Sequence, residues 1–336
     1  MAQLLEVENL VKHFKAGKSC VYAVNDVSFT LEEGETLALV GESGSGKTTV
    51  GRCILRTVEA TSGAIRFRGE DILALSERRL RRLRPKLQMV FQDPFDQLDP
   101  RIIVGEIIQE PLRHRPDVPR SERGRTVLEL AKKVALQAEL LERVPRELSA
   151  GQQQRVGIAR ALAMDPEVIV LDEAVANLDA SHRFELLELL NELKRDRRLS
   201  YIFISHDLDT VQHIADRIAF MYLGKIVEVG PAKEIFREQL HPYSRALLSA
   251  VLFPDPRARL GPYTLKGELP SPTQLPPGCV LASRCPEARS RCAVEQPPMI
   301  VGGPAHAASC FLLDPSAFPV ETADGVREVD AVSSER

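Results

Sequence analysis

A glycine-rich loop, Gly41-Glu42-Ser43-Gly44-Ser45-Gly46-Lys47-Thr48, constrains the fold of this chain more than any other stretch. It fits the pattern of a phosphate-binding loop, in which Gly and four further residues precede Gly-Lys-Ser/Thr. The apolar run 36–40 before the loop predicts a buried strand, and residues 49–55 after it have helical spacing. Glycines let the backbone N–H groups turn towards phosphate oxygens, and the helix N-terminus adds partial positive charge. The sequence therefore predicts a nucleoside triphosphate site.

Two side chains of this loop have expected roles. Lys47 should reach the β- and γ-phosphates, and the Thr48 hydroxyl should hold Mg²⁺. A chance turn rich in glycine is the alternative, but here strand, loop, Lys-Thr pair and helix occur together. The predicted nucleotide contacts from this stretch are Gly41, Ser43, Gly44, Ser45, Gly46, Lys47, Thr48 and Thr49.

Length and composition indicate a globular protein of two or three units. The chain has 336 residues, 44% of them hydrophobic and 27% charged, and a net charge of −3. This charge gives no reason to expect nucleic acid as a partner. No apolar run has the length of a membrane span, and the N-terminus lacks a signal pattern, so a cytoplasmic location is expected. There the six cysteines should stay reduced, and a cluster of them indicates metal rather than disulfides.

The order of the elements predicts an α/β fold. Strands are expected at 4–14, 21–32, 63–72, 87–92, 167–172, 201–205 and in a pair near 217–230. A mostly helical stretch, about 95–165, interrupts this series, and a helix is expected at 181–196. The arginine-dense segment 76–84 lacks interleaved aromatic residues and has one apolar edge, which favours a solvated amphipathic helix. Strands alternating with helices predict a largely parallel sheet covered on both faces.

A second chemical motif ends the strand at 167–172. Four apolar residues run into Asp172 and Glu173. Asp172 is expected near Mg²⁺, directly or through water, and Glu173 is expected to polarise a water that attacks the γ-phosphate. Many strands end on an acid, so the motif gains its meaning from the phosphate loop.

The stretch Leu148-Ser149-Ala150-Gly151-Gln152 is the most specific one in the chain. Ser149 is placed as a helix N-cap, and Gly151 would let a phosphate approach the backbone N–H groups. The stretch resembles the signature motif of ABC ATPases, Leu-Ser-Gly-Gly-Gln, with Ala150 replacing the first glycine. The implied fold is an ABC-type P-loop ATPase, with a RecA-like core, an antiparallel β subdomain and a helical subdomain.

This resemblance implies further site residues. Gln92 matches the Q-loop and would also contact Mg²⁺. His206 in Phe-Ile-Ser-His-Asp matches the switch histidine, which is expected to contact the γ-phosphate and to be catalytic together with Glu173. Asp179 closes Ala-Asn-Leu-Asp, which matches the D-loop, and Phe14 is the first choice for stacking on adenine, with Tyr22 second. In this family two ATPase domains meet head to tail. The residues that would contact the opposite domain's ATP are Ser149, Gly151 and Gln152.

The C-terminal third shows which group of ABC ATPases the chain resembles. The resemblance is to ATPases of dipeptide, oligopeptide and nickel uptake systems, and it is carried by His241-Pro242-Tyr243, Gly278-Cys279 and Cys285-Pro286. The resemblance implies an ATPase subunit of a peptide importer on the cytoplasmic face of the cell (inner) membrane, with nickel or another small solute as the alternative cargo. Its partners would be a second ATPase chain, usually different, two permease subunits and a substrate-binding protein, without nucleic acid. ABC proteins of DNA repair or translation fit less well, because the insertion is short and only one ATPase unit is present.

The expected domains are an ATPase domain over 1–250, with its core at 1–92 and 166–250 and its helical subdomain at 93–165, an extension over 251–312, and a disordered tail over 313–336. The extension carries four cysteines, which five, six and seventeen residues separate: Cys279, Cys285, Cys292 and Cys310. Tight pairs typical of zinc ribbons do not occur, so zinc stays open but a [4Fe–4S] cluster is favoured, as in some peptide-importer ATPases. Two disulfides are the remaining alternative. Because these cysteines lie far along the sequence from every predicted ATP contact, a structural or redox role is expected.

Overall fold

The computed structural model describes residues 3–17, 19–92, 98–250 and 263–314. The strands in these ranges are β1 Gln3–Ala16, β2 Ser19–Glu32, β3 Thr36–Val40, β4 Ser62–Phe67, β5 Glu70–Asp71, β6 Leu87–Val90, β7 Val168–Asp172, β8 Ser200–Ser205, β9 Arg217–Tyr222, β10 Lys225–Pro231, β11 Ile300–Gly303 and β12 His306–Ala308. The helices are α1 Lys47–Ile54, α2 Glu77–Leu83, α3 Val104–Gln109, α4 Arg123–Lys133, α5 Ala150–Leu162, α6 Ala180–Arg197, α7 Leu208–Ile214, α8 Ala232–Arg237, α9 Pro242–Ser249 and α10 Ser290–Val294. None of these helices is both long and apolar enough to cross a membrane.

The main sheet has eight strands in the order β11-β12-β10-β9-β3-β8-β7-β6. The five neighbouring strands β9, β3, β8, β7 and β6 run parallel to one another. The remaining pairs, β9 with β10, β10 with β12 and β12 with β11, are antiparallel. Strands β3, β7 and β8 are buried at every position, because they lie in the middle of the sheet with helices on its faces. Parallel strands all end at one edge, so the loops after β3, β7 and β8 meet there.

A second, antiparallel sheet has the order β2-β1-β4-β5 and packs on the face of the main sheet that carries α1. The segment 63–72, expected as a strand with a turn at Gly69-Glu70, is two strands, β4 and β5, with the turn at Arg68 and Gly69. Helices α3, α4 and α5 follow β6 and precede β7. The expected helical stretch 95–165 is thus divided into several short helices. The first of them, α3, ends where a 3₁₀ helix that contains the proline at 111 begins.

The C-terminal segment 263–314 packs on the core. Strands β11 and β12 extend the main sheet through β12, whose pairs with β10 include Glu228 with Ala308. Glu228 is fully buried and joins three parts of the chain, since its carboxylate accepts hydrogen bonds from the Leu240 and His241 N–H groups, at 3.0 and 2.9 Å, and from His306 Nε2 at 2.7 Å. Leu313, the first residue of the expected disordered tail, ends a 3₁₀ helix, and residues 315–336 of that tail lie outside the described residues, so the expected disorder stays a prediction. The domain boundaries stay predictions.

Candidate nucleotide-binding site

The phosphate loop lies at the edge where the parallel strands end. It follows Val40, the last residue of β3, and α1 begins at Lys47. Gly46 caps this helix with φ of 101°, a backbone geometry that favours glycine. An added Cβ at Gly46 would lie 2.1 Å from the carbonyl oxygen of Ala23. The loop is therefore held tightly against β2, and its shape depends on a residue without a side chain.

Lys47 is folded over its own loop. Its Nζ donates to the carbonyl oxygens of Gly41 and Glu42, at 2.7 and 2.9 Å, and to Ser45 Oγ at 3.3 Å. Burial lowers the pKa of Lys47, while the nearby charges of Glu173, Asp172 and Glu42 oppose this shift. A buried ammonium held by backbone oxygens is a ready partner for an incoming anion, which can offer it stronger charged acceptors.

Asp172 and Thr48 bring hard oxygen ligands together. Asp172 ends β7, and its Oδ1 accepts a hydrogen bond from Thr48 Oγ1 at 2.9 Å. Burial raises the pKa of Asp172, and the hydrogen bond from Thr48 opposes this effect. A carboxylate and a hydroxyl are oxygen donors that suit Mg²⁺, whose remaining ligands would come from phosphates and water. The donor set therefore fits the predicted magnesium ion.

Glu173 has an unusual backbone conformation for a residue with a side chain. Its φ is +48°, in the left-handed region, and its N–H donates to the carbonyl of Ile204 at 2.9 Å. Its Oε1 lies 3.1 Å from Nδ1 of His206, which follows β8. Backbone strain of this kind is found where the geometry of a side chain matters for function. The two residues predicted as catalytic are thus in contact, although 33 residues separate them in sequence.

A cleft with about 660 Å³ of atom-free space, part of it open to solvent, joins these residues. It is lined by Val21, Ala23, Ser43, Gly44, Gly46, Lys47, Thr48, Thr49, Gln92, Glu173 and Pro272. Gln92, whose role came from the resemblance, is thus placed beside the loop.

Phe14 is not among the lining residues. Its exposed ring lies under the Lys12 ammonium at 4.7 Å, and its neighbour on β2, Val21, lines the cleft instead. Tyr22, the second choice, packs its ring edge-on against His13. The adenine contact therefore stays a prediction.

The signature stretch forms a capped helix start, away from this cleft. Ser149 Oγ accepts from the N–H of Gln152 at 3.3 Å, and Gln152 Oε1 accepts from the N–H of Ser149 at 3.0 Å. This reciprocal pair is a capping box. Asp179 caps α6 and binds His182, and a Cβ added at Gly151 would lie 3.7 Å from the His182 ring. The signature helix and the Asp179 loop thus form one surface that none of the cleft-lining residues shares.

The four C-terminal cysteines converge on a second cavity. All four line it, together with His241, Pro242 and Phe311; the cavity leaves about 20 Å³ for water-sized molecules. All are free thiols, so the disulfide alternative is not realised. Burial raises the pKa of Cys279 to about 11 and that of Cys310 to about 12. Within the described residues, no group of three or more His, Cys, Asp or Glu side chains could hold a metal ion.

Residues of the C-terminal segment reach the phosphate loop, which sequence reasoning missed. Arg284 binds the Glu42 carboxylate, Tyr243 Oη accepts from the Glu42 N–H, and Pro272 lines the cleft. The only signal was adjacency, since Tyr243 ends the His-Pro-Tyr tripeptide and Arg284 precedes Cys285. The cysteines lie far from the nucleotide contacts along the sequence, but Arg284, the neighbour of Cys285, contacts the phosphate loop in the folded chain.

A phosphate loop, an acidic strand end with a histidine in contact, and a capped signature helix on one α/β core define the class of ATP-binding cassettes. Comparison with known proteins specifies the class further. A family model described as ABC transporter matches residues 24–176, and one described as oligopeptide/dipeptide transporter, C-terminal region, matches residues 227–292.

Similar proteins align over nearly the whole chain. The probable peptide ABC transporter ATP-binding protein y4tS of Sinorhizobium fredii is 45% identical, over 94% of this chain and 91% of its own length. The oligopeptide transport ATP-binding protein OppF of Salmonella typhimurium is 45% identical, over 93% and 97%. The solved dimeric cassette MJ0796, bound to ADP and Pi, is 29% identical with a TM-score of 0.63, over 68% of this chain and 99% of its own. The chain belongs to the ABC transporter family of ATP-binding proteins, in its oligopeptide/dipeptide group.

Proposed function

We propose that this chain is the ATP-binding and hydrolysing subunit that powers an ABC importer of di- or oligopeptides. The observation that carries the ATPase assignment is the contact between Glu173 and His206 beside the cleft that Lys47 and Thr48 line. The peptide assignment rests on the C-terminal region match and on relatives named as peptide import proteins. These names favour peptides over the nickel alternative.

Five polar side chains in or beside the cleft have chemical tasks. Lys47 and the loop N–H groups bind the β- and γ-phosphates, and Thr48 and Asp172 would hold Mg²⁺, which would neutralise phosphate charge. Glu173 accepts a proton from the attacking water, and His206 holds the Glu173 carboxylate in place through its ring nitrogen. The strained backbone at Glu173 keeps this carboxylate at the cleft while the side chain of Asp172 stays buried.

The site is completed by a second ATPase chain. The signature helix lies outside the cleft of its own chain, so its capped N-terminus is available to an ATP molecule on a partner. The solved relative MJ0796 is described as a dimer, which supports this arrangement. We expect a heterodimer, because peptide importers usually pair two different ATPase chains.

A groove beside the Q-loop fits the docking of a permease. About 1050 Å³ of atom-free space, part of it open to solvent, lies between the core and the helical stretch. It is lined by Leu55, Thr57, Arg84, Leu87, Gln88, Met89, Phe91, Glu110, Pro111, His114, Gly157, Arg160, Ala161 and Met164. This mixture of apolar and charged side chains suits a short amphipathic helix. We propose that this groove docks one of the two permease subunits of the importer, with the other on the partner ATPase chain, so that this side of the chain lies at the cytoplasmic face of the membrane. The substrate-binding protein would act on the far side.

The ATPase assignment is tested by two variants of the assembled transporter. Glu173→Gln should keep ATP binding and trap a closed dimer, because the water loses its base, with hydrolysis slower by about 10²–10⁴-fold. Lys47→Ala should instead lose nucleotide binding itself. Bound ATP and phosphate release are measured for both. Hydrolysis by Glu173→Gln at the wild-type rate would refute the assignment.

The peptide assignment is tested by uptake of labelled di- and oligopeptides in cells that carry wild-type protein or the Glu173→Gln variant. Peptide uptake should require the active ATPase. Retention of peptide uptake in the variant, together with loss of nickel uptake, would reverse the ordering of the two cargoes.

We also propose that the cysteine cavity holds a [4Fe–4S] cluster. A single zinc ion would need sulfurs about 3.8 Å apart around its centre, given Zn–S distances of about 2.3 Å. Among the described residues, no group of three or more side chains could hold such an ion. A four-iron cluster instead binds one cysteine sulfur at each of its four irons. The four cysteines that line this one cavity match that ligand count, and this match supports the proposal.

Metal analysis tests the cluster. Anaerobically purified protein should be brown, with about four irons and matching sulfide per chain. Cys285→Ser should bleach it, while Cys20→Ser, a cysteine outside the cavity, should not. Colourless protein with stoichiometric zinc, or without metal, would refute this proposal.

A further inference from the structure

The C-terminal segment binds the phosphate loop at Glu42. The Arg284 guanidinium makes a two-pronged contact with the Glu42 carboxylate, with Nη1 at 2.9 Å from Oε2 and Nη2 at 3.2 Å from Oε1. The two side chains are 12% and 29% exposed, so water screens this ion pair little. Glu42 occupies a position at which the loop pattern accepts any residue. The loop pattern itself therefore does not require its carboxylate, which can serve another contact.

The backbone of Glu42 is held as well. Its N–H donates to the hydroxyl of Tyr243 at 2.8 Å, and its carbonyl oxygen accepts from Lys47 Nζ at 2.9 Å. Tyr243 is fully buried, and its ring packs against Tyr222 at 4.9 Å. The Tyr222 hydroxyl also lies 3.4 Å from Arg284 Nη1. A continuous set of contacts thus runs from the C-terminal segment through Glu42 to the ammonium that binds phosphate.

Arg284 and Tyr243, the two residues that bind Glu42, both directly follow or precede residues that line the cysteine cavity. Arg284 directly precedes Cys285, and the N–H groups of both donate to the carbonyl of Leu281, which lines the cavity. Tyr243 follows two lining residues, His241 and Pro242, in the first turn of α9. A change in the cavity wall therefore moves the two side chains that hold the loop.

We propose that Arg284 and Tyr243 are positioning residues of the nucleotide site, which fix Glu42 and with it the phosphate loop. The C-terminal segment and ATP binding are then energetically coupled. This inference rests on the proposed binding of ATP by the loop. Because such coupling is reciprocal, ATP should in turn stabilise the cavity wall.

A double-mutant cycle tests the coupling on the full-length protein, with a fluorescent ATP analogue as the probe. Arg284→Gln and Glu42→Gln should each weaken binding by about five-fold or more. The double variant should be no weaker than either single one, because both remove the same contact. Arg284→Lys should be intermediate, since it keeps the charge but loses the fork. In hydrolysis, KM should rise more than kcat falls.

Arg237→Gln is the matched control. Arg237 forms an exposed ion pair with Glu234 on α8, so its variant has the same charge change and should bind ATP like wild type. Tyr243→Phe removes only the hydroxyl and serves if Arg284→Gln fails to fold; it should also weaken binding. Unchanged affinity in Arg284→Gln and Tyr243→Phe, or additive effects in the double variant, would overturn the inference.

Hydrogen exchange gives a readout apart from affinity. On addition of the ATP analogue, the amides of residues 279–285 should exchange more slowly in wild type and in Arg237→Gln, but not in Arg284→Gln at saturating analogue. Equal protection in all three proteins would overturn the coupling. Failure of wild type to bind the analogue would instead refute the proposed function, so the two failures are distinguishable.

Discussion

Two glycines of the phosphate loop should respond very differently to the same substitution. Gly44 and Gly46 both have positive φ, 79° and 101°. A Cβ at Gly44 meets no atom within 4 Å, whereas one at Gly46 would lie 2.1 Å from the carbonyl oxygen of Ala23. Each alanine therefore pays a left-handed backbone cost of about 1–2 kcal/mol. Only Gly46→Ala adds a backbone clash, which overpacking data put at about 1–3 kcal/mol.

This difference gives measurable magnitudes. At about 2–4 °C per kcal/mol, Gly46→Ala should melt roughly 2–12 °C below Gly44→Ala. If the loop of Gly46→Ala instead relieves the clash by moving off β2, the melting difference shrinks, and the same free energy appears as a loss of ATP affinity of roughly 5- to 150-fold, because ATP binding needs the original shape.

The assay is thermal unfolding and titration with a fluorescent ATP analogue for both variants in parallel. Gly44→Ala is the control for the backbone term, because it lies in the same loop. Equal melting temperatures and equal affinities, or a weaker Gly44→Ala, would show that the contact with Ala23 does not shape the loop.

Three further predictions concern the metal, the signature helix and the buried acid. Thr48→Val removes the hydroxyl that lies 2.9 Å from Asp172, so chelation of Mg²⁺ should weaken ATP binding in wild type but change the variant little; an equal loss in both would contradict the metal role. Because Ala150 adds a methyl group near the partner's γ-phosphate, the ATP site that this signature helix completes should hydrolyse no faster than the site on this chain's own Glu173. Separate Glu→Gln changes in each ATPase chain test this, and transport that depends on the partner's glutamate alone would contradict it. Glu228→Gln should lower the free energy of unfolding by about 1.5–3 kcal/mol at neutral pH, because a buried carboxylate loses charged hydrogen bonds.

The pH dependence of the last prediction follows from the pKa of Glu228. Burial raises this pKa, but the hydrogen bonds from His306, from Ser244 and from two backbone N–H groups lower it more, so that it lies below its ordinary value of 4.5. A carboxyl whose pKa is lowered in the folded state stabilises the protein above pH 4.5. This contribution is lost as the pH falls from 4.5 through the pKa of the folded state. The gap in melting temperature between wild type and Glu228→Gln should therefore narrow near pH 4, and a constant gap would contradict the reasoning.

The sequence predicted only part of what the structure shows about the four cysteines. The four cysteines were singled out because a cytoplasmic chain has little use for disulfides, and the structure does bring them to one cavity with free thiols. Spacing along the chain could not give the distances between the sulfurs. The expected structural or redox role of the cysteines stays a prediction, but Arg284, next to Cys285 in sequence, contacts the phosphate loop, which distance along the chain could not show.

What the sequence determined by itself about this protein is local chemistry. The phosphate loop, the acids that end β7 and the capping box of Ser149 and Gln152 each depend on a few consecutive residues, whose backbone geometry follows from residue type. The alternation of strands and helices similarly predicted the α/β core, because the apolar periodicity is set within each element.

Only the tertiary structure decided which distant residues meet. The contact of Arg284 with Glu42 spans 242 residues, and no periodicity marks either position. The placement of Pro272 beside the phosphate loop, and of Val21 rather than Phe14 on the cleft wall, depends on how whole elements pack. Such contacts follow from the packing of many side chains at once, and a residue's own type and its neighbours in sequence carry no record of them.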